Sequence, residues 1–308
     1  MSLILSALFA LSPLAVDANE EKQIAAFYDR KEWFAAFLKN SDQKMVQKET
    51  TKEILQQDFP QIWQRICDAT YPFITVFVGA GSGGVEIPLF EEFEQARGRG
   101  DNFVIYCEDP SQEMKNEFLA KAKERINSKI ADYSLLPFQA LSYLPPQSDF
   151  ALASHSWYFI DGWKNIEKER NTLLKFASIV TERMGVGLIT LQSQKGARYR
   201  LNANYATIKG QEKELVAEEI MAELEKLNIP YRSQLIESHL NVESCFKDGL
   251  FKPNKEGKEL LSFLLLDSWD TLNVEIQDQI KANLLQQVEE NGKNELVLID
   301  YHIWISAK

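Results

Sequence analysis

The sequence predicts an α/β fold in which an open, mostly parallel sheet carries helices on both faces. Two apolar, β-branched segments, residues 73–78 and 103–107, have the length and composition of buried strands. Each is followed by turn residues and then by a helical pattern, and such alternation favours a parallel sheet with right-handed crossovers. A glycine-rich turn directly after the first strand is the third observation behind this prediction.

The other elements follow in chain order. Residues 20–38 and 58–67 place apolar side chains at helical spacing, so they predict helices before the first strand. Residues 112–123 and 212–226 indicate two later helices, and the polar residues 192–201 predict a loop that closes over a pocket. Further strands are predicted at residues 131–136, 149–154, 186–191, 231–240 and 296–305.

This order of elements divides the chain into a cap and a core. We expect residues 1–68 to form an N-terminal helical cap and residues 69–308 to form the core, with residues 243–290 as a helical insertion before the last strand. Apolar residues 3–10 have no Lys or Arg before them. This favours a packed helix or arm over a signal peptide or a membrane span.

Composition excludes several classes of partner. The 308 residues carry a net charge of −11, which argues against a broad cationic surface for nucleic acid and favours small neutral or cationic partners. Three cysteines and three histidines are widely spaced, so neither a disulfide framework nor a metal site is indicated. We therefore expect a cytoplasmic protein that needs no metal, with a monomer favoured.

The glycine-rich turn contains Gly79, Ala80, Gly81, Gly83 and Gly84. Glycine lets the backbone turn sharply and approach a ligand closely, and the helix that follows offers free N–H groups. The first, second and last of these glycines fit the G-x-G-x-x-G spacing of dinucleotide-binding proteins. The first three fit the G-x-G-x-G spacing of class I methyltransferases, so the turn alone leaves both interpretations open.

The second strand ends in Glu108 and Asp109, followed by Pro110 and Ser111. A carboxylate at this place lies where the ribose diol of a nucleotide cofactor would bind, and it can accept hydrogen bonds from both hydroxyls. We favour Asp109 for this role, because Glu108 points the other way if the strand stays regular.

In these motifs the sequence resembles the small-molecule methyltransferases of the histamine N-methyltransferase type. The resemblance extends over most of the chain: residues 37–41, the turn at Gly79, Asp109-Pro110-Ser111, Asp149-Phe150 leading into Tyr158-Phe159, residues 245–249 and an apolar C-terminal strand. It implies a Rossmann-like, seven-stranded class I methyltransferase sheet and S-adenosyl-L-methionine as cofactor. The implied activity is methyl transfer to a nitrogen of a small amine or imidazole compound.

The resemblance also implies the residues of the cofactor site. These are Gly79, Ala80, Gly81, Gly83, Glu108, Asp109 and Ser154.

The fourth predicted strand ends at Ser154 and is followed by His155 and a group of aromatic residues. Ligands of open α/β sheets bind at this edge. By resemblance His155 contacts substrate, and a neutral imidazole can take a proton from an amine; Tyr158 is the second catalytic candidate. Aromatic faces can hold a cationic amine. The candidate substrate-binding residues are Phe34, Gln43, Trp157, Phe159, Tyr199 and Asp300.

Three departures from the family bear on the substrate. Where the family presents a glutamate to its amine, this chain has Gln43, which supplies no charge. On the last strand, Asp300 or His302 stands near the position of a family asparagine. Arg198 and Tyr199 replace aromatic groups and would suit a substrate with a carboxylate. Histamine itself is therefore not implied.

Two other functions compete with methyl transfer to a small molecule. The alternative glycine spacing would fit an NAD(P)-dependent oxidoreductase, and the departures at Gln43 and on the last strand would fit a non-catalytic scaffold that binds S-adenosyl-L-methionine. Methylation of a protein is a further possibility, which an enclosed aromatic pocket would disfavour.

Overall fold

The computed structural model describes residues 30–98, 102–141, 147–164, 167 and 171–306. Within these ranges the α-helices are α1 (Lys31–Asn40), α2 (Gln43–Gln57), α3 (Pro60–Cys67), α4 (Glu86–Arg97), α5 (Gln112–Arg125), α6 (Thr172–Thr181), α7 (Ala197–Lys209), α8 (Ala217–Lys226), α9 (Lys255–Leu265) and α10 (Val274–Asn291). The strands are β1 (Phe73–Val78), β2 (Phe103–Glu108), β3 (Lys129–Ser134), β4 (Phe150–Ser154), β5 (Val186–Gln192), β6 (Tyr231–Asn241), β7 (Phe246–Lys247), β8 (Leu250–Phe251) and β9 (Glu295–Ser306).

Seven strands form one mixed sheet in the order β3-β2-β1-β4-β5-β9-β6. Strands β1 to β5 pair in parallel, whereas β9 lies between β5 and β6 and is antiparallel to both. This confirms the predicted seven-stranded, Rossmann-like α/β fold. The sheet places the carboxyl ends of β1, β2 and β4 along one edge, where ligands of such folds bind.

Helices cover both faces of the sheet, because side chains alternate along each strand. On β1, Phe73 and Phe77 belong to a core with α3, α4 and α5, while Val76 and Val78 belong to a core with α6 and α8. Aromatic rings fill the first core; Phe77 and Phe90 meet edge to face at 5.9 Å. Burial of these rings supplies much of the driving force for folding.

A third core lies beside the sheet and joins α1 to helices from the second half of the chain. It combines α1 with α7, α9 and α10, and the rings of Phe37 and Phe263 stack at 4.4 Å. In contrast, Leu55 of α2 and Ile62 of α3 pack in the core on the sheet. The helices before β1 therefore divide between two cores, and α1 packs on the insertion over residues 243–290.

The structure differs from the expected elements at three places. Residues 197–201, expected in a loop, begin helix α7, because Ala197, Leu201 and Tyr205 recur at helical spacing and are buried in the third core. Helix α2 lies within the predicted helical cap, but its apolar pattern is weak and the sequence analysis predicts no bounds for it. The helix expected over 212–226 begins only at Ala217.

Some expectations fall on residues 1–29, which lie outside the described residues: the N-terminal arm or signal peptide and most of the helix over 20–38. In the described ranges, no helix has the length and apolarity that crossing a lipid bilayer requires.

A buried ion network fixes the edge of the sheet opposite to the glycine turn. The Asp149 carboxylate has 0% side-chain exposure and lies 3.2 Å from both Arg65 and Arg183. It also accepts hydrogen bonds from the Tyr71 hydroxyl at 2.9 Å and from the backbone N–H of Ile74 at 2.8 Å. One carboxylate thus joins α3, β1 and the turn before β5.

We expect Asp149→Asn to lower the free energy of unfolding by about 3 kcal/mol, because removing one member of a buried ion pair leaves its partners uncompensated. The matched control is Asp270→Asn, since Asp270 pairs with Lys258 and its side chain is 66% exposed; such exposed pairs contribute little. Urea denaturation of both variants measures the difference. Equal losses would show that the Asp149 network is not stabilising.

Candidate functional site

The turn after β1 is built from glycines in the left-handed backbone region. The angle φ is 60° at Gly79, 51° at Gly81 and 75° at Gly83, which other residues adopt only at a cost. A Cβ on Gly79 would lie 2.2 Å from Cβ of Ser156, and one on Gly83 would lie 2.5 Å from Cδ1 of Ile87. No described atom lies within 4 Å of a Cβ on Gly81, so this glycine borders open space.

Two buried carboxylates hold the turn. Glu108 Oε2 accepts a hydrogen bond from the N–H of Gly79 at 3.1 Å, and Asp109 Oδ2 accepts one from the N–H of Gly81 at 3.0 Å. The expectation that Glu108 points away from the turn is wrong, because β2 ends at Glu108 and the strand alternation does not continue to Asp109. Burial raises the pKa of Glu108 to about 8.

A cavity of about 370 Å³ opens beside the turn, within the usual range for ligand sites. It extends from the glycines and the end of β4 to helices α1 and α9. The predicted site residues that line it are Phe34, Gln43, Gly79, Ala80, Gly81, Ser154, His155, Tyr158 and Phe159. Residues that sequence analysis did not assign to the site also line it, among them Lys44, Glu86, Glu214 and Phe263.

His155 follows β4 with a left-handed φ of 53°. Its Nε2 contacts the amide nitrogen of Gln47, and because an amide nitrogen only donates, Nε2 accepts. The other ring nitrogen, Nδ1, then carries the proton and donates to the Tyr158 hydroxyl at 3.2 Å. Burial lowers the pKa of His155, an effect that Asp300 opposes. The imidazole is therefore neutral at pH 7.

Asp300 reaches this network from β9. Its Oδ2 accepts hydrogen bonds from the side-chain amides of Gln43 at 2.9 Å and Gln47 at 3.1 Å, and it lies 3.5 Å from Nε2 of His155. Burial would raise the pKa of Asp300, but the hydrogen bonds from the two amides stabilise the carboxylate, and the pKa lies below the ordinary value. Gln43 and Gln47 are one helical turn apart on α2, so both reach the same carboxylate.

The remaining predicted residues lie behind the cavity wall. Gly83, Glu108 and Asp109 support the turn without lining the cavity. Tyr199 and Asp300 line a second cavity of about 10 Å³, together with Gln43. Asp300 thus contacts the glutamines and His155 but does not face the large cavity.

Trp157 does not line either cavity. It is fully buried, with its ring 5.4 Å from that of Phe176 and 6.2 Å from that of Phe138. The expected contact of Trp157 with substrate is therefore not supported. After β4 the chain enters a short 3₁₀ turn, which directs Trp157 into the core and its neighbours Tyr158 and Phe159 to the cavity.

Arg198 lines the large cavity but is already paired. It lies 3.2 Å from Glu214, and its guanidinium packs 5.6 Å from the ring centre of Tyr158 and 5.4 Å from that of Phe263.

Of the site residues that the sequence analysis did not name, Gln47 could have been found from helical spacing, because it lies four residues after Gln43. Glu214 and Phe263 carry no comparable signal in the sequence.

His302, the alternative to Asp300 in the sequence analysis, is fully buried on β9 and lines neither cavity. Burial lowers its pKa to about 3, so it is neutral. In the described ranges, no group of His, Cys, Asp and Glu side chains is arranged to hold a metal ion.

No protein-family model matches the sequence, and no curated protein matches it significantly. Among solved structures, the YcgJ protein from Bacillus subtilis has 13% identity and a TM-score of 0.49, covering 80% of this chain and 97% of its own. A putative sarcosine dimethylglycine methyltransferase from Galdieria sulphuraria has 12% identity and a TM-score of 0.43, covering 84% and 86%. Haemonchus contortus phosphoethanolamine N-methyltransferase 2, in complex with phosphomonomethylethanolamine and S-adenosylhomocysteine, has 12% identity and a TM-score of 0.39, covering 77% and 49%. At these identities and TM-scores the matches assign no function to this chain.

We expect Gly79→Ala to destabilise the protein more than Gly81→Ala. The first variant combines left-handed strain with a clash against Ser156, a loss of about 2 to 4 kcal/mol, whereas the second adds strain alone, about 1 to 2 kcal/mol. Urea denaturation compares the two. A loss at Gly81 equal to that at Gly79 would contradict the close packing of Gly79.

The raised pKa of Glu108 predicts a pH dependence of stability. Its protonated form is favoured in the folded state, so its contribution is complete below the unfolded value of 4.5 and is lost as the pH rises through about 8. In Glu108→Gln the amide does not titrate, and the free energy of unfolding should fall less between about pH 5 and pH 9 than in the wild type. Glu113→Gln, a change on the surface of α5, serves as control. Parallel profiles for the wild type and Glu108→Gln would refute the shift.

Proposed function

We propose that this protein transfers the methyl group of S-adenosyl-L-methionine to a nitrogen of a small amine or imidazole compound. The observation that carries the proposal is the single cavity that joins the glycine turn to the pair His155 and Tyr158 and to aromatic side chains of α1 and α9. A cofactor bound at the turn and an acceptor bound among the aromatic rings would share this space.

The residues at the turn fit the cofactor. Gly81 borders open space, as a backbone that contacts a ligand closely requires. Glu108 and Asp109 lie directly behind the turn and bind two of its N–H groups, so they hold the backbone in the shape that the cofactor would contact, although neither side chain lines the cavity. When bound, the cofactor supplies a methyl group already activated by a sulfonium, so the protein has chiefly to align the acceptor with it.

Tyr158 and His155 act together on the acceptor in this proposal. The Tyr158 oxygen accepts hydrogen bonds from His155 Nδ1 and from the N–H of Gln192 at 3.2 Å, which leaves its own proton to donate toward the cavity. Tyr158 then orients a polar atom of the acceptor, and His155 positions Tyr158. Both ring nitrogens of His155 are engaged, so direct removal of a proton by the imidazole would first require displacement of Gln47.

Two helical segments would enclose the acceptor. Phe34 of α1 and Phe263 of α9 line the cavity, and their ring centres lie 5.8 Å apart. This supports the assignment of the N-terminal cap and the insertion over 243–290 to the substrate side. Phe159, which is 38% exposed, stands at the cavity as a further aromatic contact.

The sheet order disfavours an NAD(P)-dependent oxidoreductase, because the dinucleotide fold has six parallel strands in the order 3-2-1-4-5-6. Here an antiparallel strand from the end of the chain lies beside β5. A non-catalytic scaffold would bind the same cofactor as the proposed enzyme but would not transfer its methyl group. A protein methyltransferase would transfer the methyl group to a protein and not to a small molecule.

Calorimetry with S-adenosylmethionine, S-adenosylhomocysteine and NAD tests the proposal first. We expect micromolar binding of the first two and none of NAD, followed by methylation of one or more compounds in a screen of amines and imidazoles. Binding of NAD alone would overturn the proposal. Binding of the first two without turnover on any small molecule or protein would leave the scaffold function.

Tyr158→Phe should lower kcat about tenfold, the effect of losing one orienting hydrogen bond, while S-adenosylmethionine affinity stays near that of the wild type. His155→Gln should lower kcat by a similar factor. The double variant should have a kcat only slightly below that of either single variant, because the two residues act as one unit. Tyr301→Phe is the matched control, since Tyr301 lies outside the cavity. Additive losses in the double variant would separate the two roles.

A further inference from the structure

Lys44 and Glu86 place opposite charges on the wall of the large cavity. Lys44 lies in the first turn of α2, and Glu86 is the first residue of α4, directly after the glycine turn. Glu86 is 4% exposed. The two side chains come from segments more than forty residues apart, and the cavity lies between them.

The two charges do not neutralise each other by contact. Among the described residues, the Lys44 side chain forms no hydrogen bond or ion pair. Among the described residues, the Glu86 carboxylate accepts hydrogen bonds from backbone N–H groups, that of Val85 at 3.1 Å and its own. Burial lowers the pKa of Lys44 and raises the pKa of Glu86. In each case the charge of the other residue opposes the effect of burial, and it is the largest contribution from any charged group.

The other cations at the cavity have partners. Lys31 pairs with Glu117 at 3.3 Å, and Lys121 donates to the carbonyl oxygen of Ser82 at 3.1 Å. Arg198 is paired with an acid, as described above, and Arg30 stacks on the ring of Trp33 at 4.2 Å. Lys44 is thus the ammonium at this wall that a ligand can pair with most readily. An ammonium held partly out of water without a counter-charge is costly, and an anionic ligand group would remove that cost.

A ligand group that satisfies both residues carries a carboxylate and an ammonium a short distance apart. An α-amino acid moiety has this chemistry. Because Glu86 directly follows the glycine turn, the moiety would lie beside the turn and not among the aromatic rings.

We propose that Lys44 binds the α-carboxylate and Glu86 binds the α-ammonium of the amino-acid end of S-adenosylmethionine. This inference rests on the proposed function. It assigns to α2 a direct part in cofactor binding, in addition to its contacts with His155 and Asp300. It also implies that the protein discriminates against nucleosides that lack the amino-acid end.

Calorimetry with three ligands tests the assignment. The ligands are S-adenosylmethionine, its decarboxylated form, which lacks the carboxylate, and methylthioadenosine, which lacks both charged groups. The wild type should bind the first at least tenfold more tightly than the other two. Lys44→Gln should weaken binding of S-adenosylmethionine at least tenfold and leave the other two affinities unchanged. Glu86→Gln should weaken the first two ligands and spare methylthioadenosine.

Lys52→Gln is the matched control, since Lys52 lies on the same helix and pairs with Glu92 at 2.6 Å outside the cavity. Its three affinities should equal those of the wild type. Thermal unfolding checks that each variant is folded. If Glu86→Gln does not fold, Lys44→Gln and the comparison of ligands on the wild type still decide the assignment of the carboxylate.

Three outcomes would overturn the inference. Equal weakening of all three ligands in Lys44→Gln would indicate a structural effect, and unchanged affinities would remove Lys44 from the cofactor site. Unchanged cofactor affinity with a raised KM for the acceptor would assign Lys44 to the acceptor. In each case wild-type binding of S-adenosylmethionine leaves the proposed function standing, whereas its absence would overturn that function itself.

Discussion

The site depends on one constraint: a backbone turn in the left-handed region must stay open toward a cavity without a side chain to fill it. Glycines make the turn possible, but they also make it flexible in the unfolded chain, so something must hold it. Glu108 and Asp109 do so by accepting the N–H groups of Gly79 and Gly81. The turn is therefore shaped before any ligand arrives, which reduces the entropy that binding would otherwise lose.

The second half of the site relies on contacts between distant segments. Gln43 and Gln47 come from the second helix, His155 from the end of the fourth strand and Asp300 from the last strand, and they meet around one buried carboxylate. Such a network is favourable only when all its members are satisfied. The neutral imidazole and the ionised Asp300 follow from this arrangement, since burial disfavours charge on one and the amides stabilise charge on the other.

Much of the fold could be predicted because buried strands and glycine turns leave local patterns. Every strand of the large sheet was expected within a few residues, and so was the turn at Gly79. The orientation of side chains beyond a strand end could not be predicted, since it depends on backbone angles such as the left-handed φ at His155; Trp157 shows this. The bounds of helix α2 could not be predicted, because its buried residues are largely polar, Gln43, Gln47 and Thr51, and the two glutamines pair with groups far along the chain.

The position of β9 has a consequence for the order in which the sheet can form. β9 lies between β5 and β6, although β6 precedes it in the chain, and it contributes Asp300 to the site. Until β9 enters this gap, β6 has no place beside β5, and the facing edges of both strands stay unpaired. The sheet therefore closes through a pairing between segments far apart in sequence, which is a slow step in folding. The network around Asp300 assembles in that same late step.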